Sequence, residues 1–286
     1  MKKAILILVC ASFLFVTSCA DKSKEPSGNI PEPNPISDFK YLLDEELGMF
    51  IMEYIGTDKN VVIPSAIDGH AVTHIGMGAF SGTDIESVVI PDSVTVVMTM
   101  AFSRCEQLKT VDFGDSIFEI QAEAFRDCTS LEEIILPKNI KALGDGAFFA
   151  CTSATEIYIP KTLTNWNDTY QYSIFGGCIA LKTLTIEDGV TTLGGYGTFR
   201  GASALKKLVI PASVNAIGDF AFHSAVALES VTFLGDAPQL TEGVFGYPNS
   251  ETVSPNLVIY YNPNTNGWDD TILNQYQLVP ICDITE

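Results

Sequence analysis

With 286 residues, 47% of them hydrophobic, the chain is long enough to bury a sizeable core. Its formal charge of −19, or −21 once a leader holding Lys2 and Lys3 is removed, excludes the basic surface that nucleic-acid phosphates require. Its seven cysteines show no CxxC spacing, which argues against a metal-binding framework.

Residues 1–18 place Lys2 and Lys3 before an apolar run from Ala4 to Val16. This is the pattern of a secretory leader, too short to stay as a membrane-spanning helix. The next residues, Val16-Thr17-Ser18-Cys19, resemble the lipobox of bacterial lipoproteins. That resemblance implies cleavage before Cys19 and lipidation of Cys19, and hence an outer-membrane, surface-exposed protein. The other reading is an ordinary signal followed by a chance cysteine. Acyl chains hold a protein at a membrane without a spanning segment. Residues 19–37 are rich in Pro, Ser and charge and read as a disordered tether. Residues 38–74 alternate like strands, with turns at Tyr54-Ile55-Gly56 and Ile67-Asp68-Gly69, and read as an N-terminal cap over the first rung of a repeat array.

The repeats occupy residues 75–245 and are marked by Phe80, Phe102, Phe125, Phe148, Phe175, Phe199, Phe222 and Phe245, spaced by 22, 23, 23, 27, 24, 23 and 23 residues. Around each stands the skeleton I-x-x-x-A-F-x-x-C-x-x-L-x-x-I-x-L-P-x-x-I, seen in full from Ile120. A period of 20–29 residues with Leu, Ile and Val at fixed offsets signals a leucine-rich solenoid of about eight repeats. Nine and eleven residues after the Phe come inward pairs such as Ile134/Leu136 and Leu208/Ile210. Their i, i+2 spacing predicts one short strand per repeat, stacked in parallel at about 4.8 Å. Pro91, Pro137, Pro160 and Pro211 end these strands, and Val94, Ile140, Leu163 and Val214 turn inward three residues later. The Ala-Phe segment closes the coil on the opposite face as a tight turn or short 3-10 element. The fold class is therefore a mostly β leucine-rich-repeat solenoid.

Beyond Phe245 the pattern decays, and residues 246–286 read as a C-terminal cap whose last strand is residues 256–261. The motif I-G-x-x-A-F-x-x-C-x-x-L-x-x-[IV]-x-[IL]-P, carried by Ile75-Gly76 with Ala79-Phe80 and Ile217-Gly218 with Ala221-Phe222, resembles the BspA-like leucine-rich repeats of bacterial surface proteins. The resemblance covers roughly residues 40–270. It implies adhesion to host or neighbouring-cell proteins.

Cys105, Cys128, Cys151 and Cys178 each follow a repeat Phe by three residues and form one column, with Ala202 and Ala225 in the same place later. That register predicts free, buried structural thiols. His70, His74 and His223 lack partner ligands at metal spacing, so no metal and no cofactor are expected. No catalytic residue is read from the sequence, since the G-x-S-x-G, P-loop and H-E-x-x-H motifs are absent and no carboxylate pair is marked by a cleft. Binding is the expected work. The outward strand positions Asp112, Glu133, Ile135, Glu156, Tyr158, Thr183, Thr185 and Lys207 form the candidate sheet face, centred on Ile135 and Tyr158 for an extracellular protein partner. The repeat with four extra residues offers a second candidate, a polar aromatic loop with Trp166, Tyr170 and Tyr172. Either it stacks on a glycan, with Asn165, Asn167 and Asp168 meeting hydroxyls, or it folds back and buries its Trp. A scaffold in a cell-envelope complex is the third reading.

Overall fold

Each repeat lays down two strands where the sequence predicts one. The computed structural model describes residues 31–167, 172–241, 243–247, 251–268 and 272–281. The leader, Cys19, Asp168, Tyr170 and Cys282 lie outside the described residues. From Pro33 onward the chain is one unit.

The broader ladder holds the expected strands. Asn60–Val62, Ser87–Val89 and Thr110–Asp112 pair in parallel. So do Glu133–Ile135, Glu156–Ile159 and Thr183–Ile186. A third run follows from Lys207–Ile210 through Ser230–Phe233 and Val258–Tyr261 to Gln277–Pro280. The last of these corrects the expectation that the sheet ends at residue 261. Alternation sets the faces: Glu156–Ile159 reads half-buried, buried, half-buried, buried. The Pro at the end of a strand opens a turn, closed by Val94, Ile140, Leu163 and Val214 donating their N–H to the carbonyls of Pro91, Pro137, Pro160 and Pro211.

The second ladder is narrower and lies after that turn. His70–Ile75, Val96–Val97, Glu119–Ile120, Ala142–Gly144 and Asn165–Asn167 run in parallel register, and Thr192–Leu193 pairs with Ala216–Ile217. At its start the hairpin Phe39–Asp44 and Gly48–Tyr54 is antiparallel, and its second strand joins His70–Ile75 in parallel.

The third side of the coil is made of turns around the repeat Phe. The described 3-10 segments, Ile36–Asp38 and Ile272–Gln275, lie outside these turns. Such a turn passes twice through the left-handed region, as at Glu123 (φ 57°) and Asp127 (φ 58°). Non-glycine residues there cost about 1–2 kcal/mol each. Rung-to-rung hydrogen bonds offset this, Phe102 N–H to Ala124 O and Phe125 N–H to Ala147 O both at 2.7 Å.

Inside these turns the eight phenylalanines form a continuous stack. Successive ring centroids lie 4.7 to 5.8 Å apart, with interplanar angles of 2° to 24°. A tyrosine ends the stack at each side. Tyr54 stacks on Phe80 at 5.3 Å and gives its hydroxyl to Asp58 O. Tyr276 meets Phe245 edge-on at 6.0 Å and gives its hydroxyl to Gly246 O. Burial pushes the Tyr276 phenol up to about 12. A tyrosine suits both ends because its ring covers apolar surface while its polar tip reaches a carbonyl.

Candidate functional site

The thiol column is buried as its register predicts, and the described cysteines are free. Each donates its S–H to the Phe carbonyl of the preceding rung: Cys105 to Phe80 (3.0 Å), Cys128 to Phe102 (3.2 Å), Cys151 to Phe125 (3.3 Å) and Cys178 to Phe148 (3.7 Å). Burial raises the pKa of all four, that of Cys178 to about 12. The reactive species is the thiolate. Native protein held at pH 8 with iodoacetamide is therefore expected to leave these four unmodified, while urea-unfolded protein is alkylated at each. Peptide mass mapping reads the difference, and native labelling at any of them would show that its rung opens. His74 also proves to be packing: its ring stacks on Phe50 at 4.2 Å, and burial lowers its pKa. Among the described residues no His/Cys/Asp/Glu cluster could hold a metal ion, and no helix is long and apolar enough to cross a membrane.

The broader ladder fixes the candidate sheet face. Glu133, Glu156 and Thr183 are register partners, and so are Ile135, Tyr158 and Thr185. These six share one run of hydrogen-bonded strands. Asp112 lies on the preceding run beside Val89, and Lys207 on the following one beside Ser230. Ile135 is 37% exposed and Tyr158 half-buried. The Tyr158 hydroxyl is anchored on the Glu187 carboxylate. Burial drives the Glu187 pKa up, but hydrogen bonds from the Lys161 backbone and ammonium and from Tyr158 outweigh it and hold it below the ordinary value.

The expected aromatic loop is corrected at its start, because Asn165–Asn167 is a strand. Trp166 is the register partner of Leu143, and its half-buried ring packs against the core. Its indole N–H is buried and has no hydrogen-bond partner among the described residues. The physical reason is register: an inward column of Val97, Ile120 and Leu143 continues into the insertion, and Trp166 fills it. Tyr172 lies instead on the turn face. Its backbone N–H binds Asp145 Oδ1 at 3.0 Å, and its ring lies 5.7 Å from that of Phe149. The Arg126 guanidinium stands 4.4 Å over Tyr172 and bonds Glu123 at 2.7 Å. Tyr172 and then Glu123 raise the Arg126 pKa.

Beyond Tyr172, toward the C-terminus, lies a feature the sequence reading missed. A groove of about 580 Å³ is lined by Phe149, Tyr172, Ser173, Tyr196 and Arg200, with Gly176, Gly177, Gly201 and Ser224. On its far side Tyr196 packs on Phe220 at 5.2 Å, and Phe220 on His223 at 5.6 Å. Burial, and then Arg200, hold the His223 imidazole below its ordinary pKa. Arg200 is exposed and forms no ion pair among the described residues. The signal was available as columns: one place after the repeat Phe stand Arg126, Phe149, Gly176, Arg200 and His223.

Comparison with known families matches a BspA type leucine rich repeat region, in six copies, over residues 73–196 and 167–251. The chain belongs to this family. The match bears out the resemblance carried by the I-G and A-F motifs. Among solved structures, a leucine rich repeat protein of T. pallidum is 26% identical to this BspA-type chain. It covers 76% of this chain and 92% of its own, with a TM-score of 0.57. A leucine rich cell surface protein of Faecalibacterium prausnitzii is 22% identical over 83% of this chain and 72% of its own, with a TM-score of 0.58. No curated protein matches. Family and neighbours alike are repeat proteins rather than typical enzymes.

Proposed function

We propose that this BspA-type chain is a lipid-anchored surface protein that adheres to a host or neighbouring-cell protein through the broader ladder. The supporting observation is the in-register pairing of Ile135 with Tyr158, flanked by Glu133, Glu156, Thr183 and Thr185. An apolar centre with a polar rim is the anatomy of a protein-binding hot spot. Parallel solenoid strands hold such residues on a rigid surface, so little side-chain order is lost on binding. Anchoring through Cys19 and a tether ending before Pro33, where the folded unit begins and Asn34 is buried against Val62, would hold this face clear of the outer membrane. The surface description of the F. prausnitzii neighbour is consistent with that placement.

The test is surface plasmon resonance against a panel of extracellular matrix proteins. Tyr158→Ala is expected to weaken the bound partner by about 2 kcal/mol, roughly thirty-fold. A Ser230→Ala control on the following run should change little. Equal binding by Tyr158→Ala and the parent sinks the assignment of this face. Metabolic labelling with a fatty acid, lost on Cys19→Ser, tests the anchor.

A further inference from the structure

The groove on the turn face belongs to neither the broader ladder nor the core, and two glycine-interrupted columns create it. One place after the repeat Phe, Gly176 separates Phe149 from Arg200; one place further on, Gly177 and Gly201 separate Ala150 from Ser224. Backbone conformation favours glycine in the second column without demanding it. Ala150 and Ser224 take φ of 60° and 65° there, close to the 75° of Gly177 and 82° of Gly201. Space does not demand it either, since a Cβ at Gly177 or Gly201 would meet nothing nearer than 3.5 Å and 3.7 Å. The bareness leaves a floor between two aromatic walls.

We propose that this groove binds a saccharide bearing a carboxylate, with its ring face on the aromatic walls and its carboxylate on Arg200. The volume lies within the range of about 300–1,000 Å³ usual for small-ligand clefts. Tyrosine presents an apolar face and a polar tip, the combination that meets the C–H face and hydroxyl edge of a pyranose. Guanidinium grips a carboxylate with two parallel hydrogen bonds. In a chain of charge −19, an exposed arginine with no ion pair among the described residues is a local departure that favours an anion. By contrast Arg126, at the other wall, is already held by Glu123 and Asp127.

An extended peptide is disfavoured by the backbone. Gly177 N–H binds Arg200 O, Gly201 N–H binds His223 O, and Gly176 N–H binds Ser173 O, at 2.9, 2.8 and 3.1 Å. No free strand edge is offered for strand addition there. With the floor's backbone N–H groups already bonded, side chains supply the polar contacts to the ligand.

The experiment is calorimetric titration of the full chain with trigalacturonic acid, a neutral galactose trimer and triglutamate. Trigalacturonic acid is expected to bind, with the neutral trimer and the peptide each about ten-fold weaker, the effect of one charge-assisted contact. Arg200→Gln should weaken trigalacturonic acid about ten-fold without moving the thermal midpoint, because the side chain is exposed. Tyr196→Ala should also weaken it, with melting curves confirming that the variant is folded. Tyr158→Ala, on the broader ladder, should leave it unchanged, so the saccharide site and the adhesive face stand or fall separately. The assignment is overturned if trigalacturonic acid does not bind, if Arg200→Gln binds it as the parent does, or if either other probe binds as tightly.

Discussion

Phe148→Ala is expected to lower the unfolding free energy by about 3–5 kcal/mol, the range for emptying a fully buried phenylalanine site. Phe148 is 0% exposed and lies between Phe125 at 5.1 Å and Phe175 at 5.5 Å, nearly parallel to both. Collapse cannot relieve the cavity easily. Its neighbours are fixed by the rung spacing, and their backbones are tied by Phe148 N–H to Ile174 O and Phe125 N–H to Ala147 O. Urea unfolding followed by circular dichroism measures the loss. Phe148→Leu keeps most of the volume and should cost less, about 1–2 kcal/mol. The position is central, so weakening it also weakens coupling between the two halves of the array. Separation of the unfolding curve into two steps is the accompanying expectation. A loss below about 1 kcal/mol would mean that the stack can close over a missing ring.

Gly218→Ala is the second large effect, and its cause is backbone rather than side chain. A Cβ at Gly218 would stand 1.8 Å from Gly195 O and 2.5 Å from Gly195 C. The Gly218 N–H is also bound to Leu193 O at 3.0 Å, so the two rungs cannot part without losing that bond. Gly144 and Gly76 repeat the arrangement, at 2.3 Å from Ala122 N and 2.6 Å from Ile51 O. The glycine of the I-G motif therefore marks a point where successive rungs approach too closely for a Cβ. Overpacking at such a point costs about 2–4 kcal/mol, or roughly 6–12 °C in the thermal midpoint of a domain this size. Gly69→Ala is the control, with open space around its Cβ but a φ of 82°, and should cost only about 1 kcal/mol. A Gly218→Ala midpoint within a degree of the parent would show that the coil can loosen locally.

The repeat was legible because the same residues recur at Phe, Cys and Leu positions, and each recurrence reports the same contact. The narrower ladder was not. A strand such as Val96–Val97 or Glu119–Ile120 offers a single inward residue per rung, too short a run for period-two alternation to emerge. Had Val97, Ile120 and Leu143 been aligned as a column, Trp166 would have been read as its next member. The final strand Gln277–Pro280 follows no repeat Phe, and so escaped the alignment that found the others. The groove was hidden for another reason. Phe149 stands far from Tyr196 and Arg200 in sequence, and only stacking brings their rungs to either side of the rung that carries Gly176. What betrays them is glycine interrupting a column of large side chains.

The ladders have a mechanical consequence. Successive rungs are joined by an unbroken series of backbone hydrogen bonds on the turn side, from Phe80 to Val244. Among the described residues the broader ladder is interrupted between Thr183–Ile186 and Lys207–Ile210, and the narrower one between Asn165–Asn167 and Thr192–Leu193. When such a coil is stretched between its ends, the load passes through every rung, and the array yields by peeling one terminal rung at a time. A repeat of 23 residues then releases about 80 Å of extended chain. Under flow, that staged lengthening would dissipate work in steps while the remaining rungs, and any ligand seated on them, stayed folded.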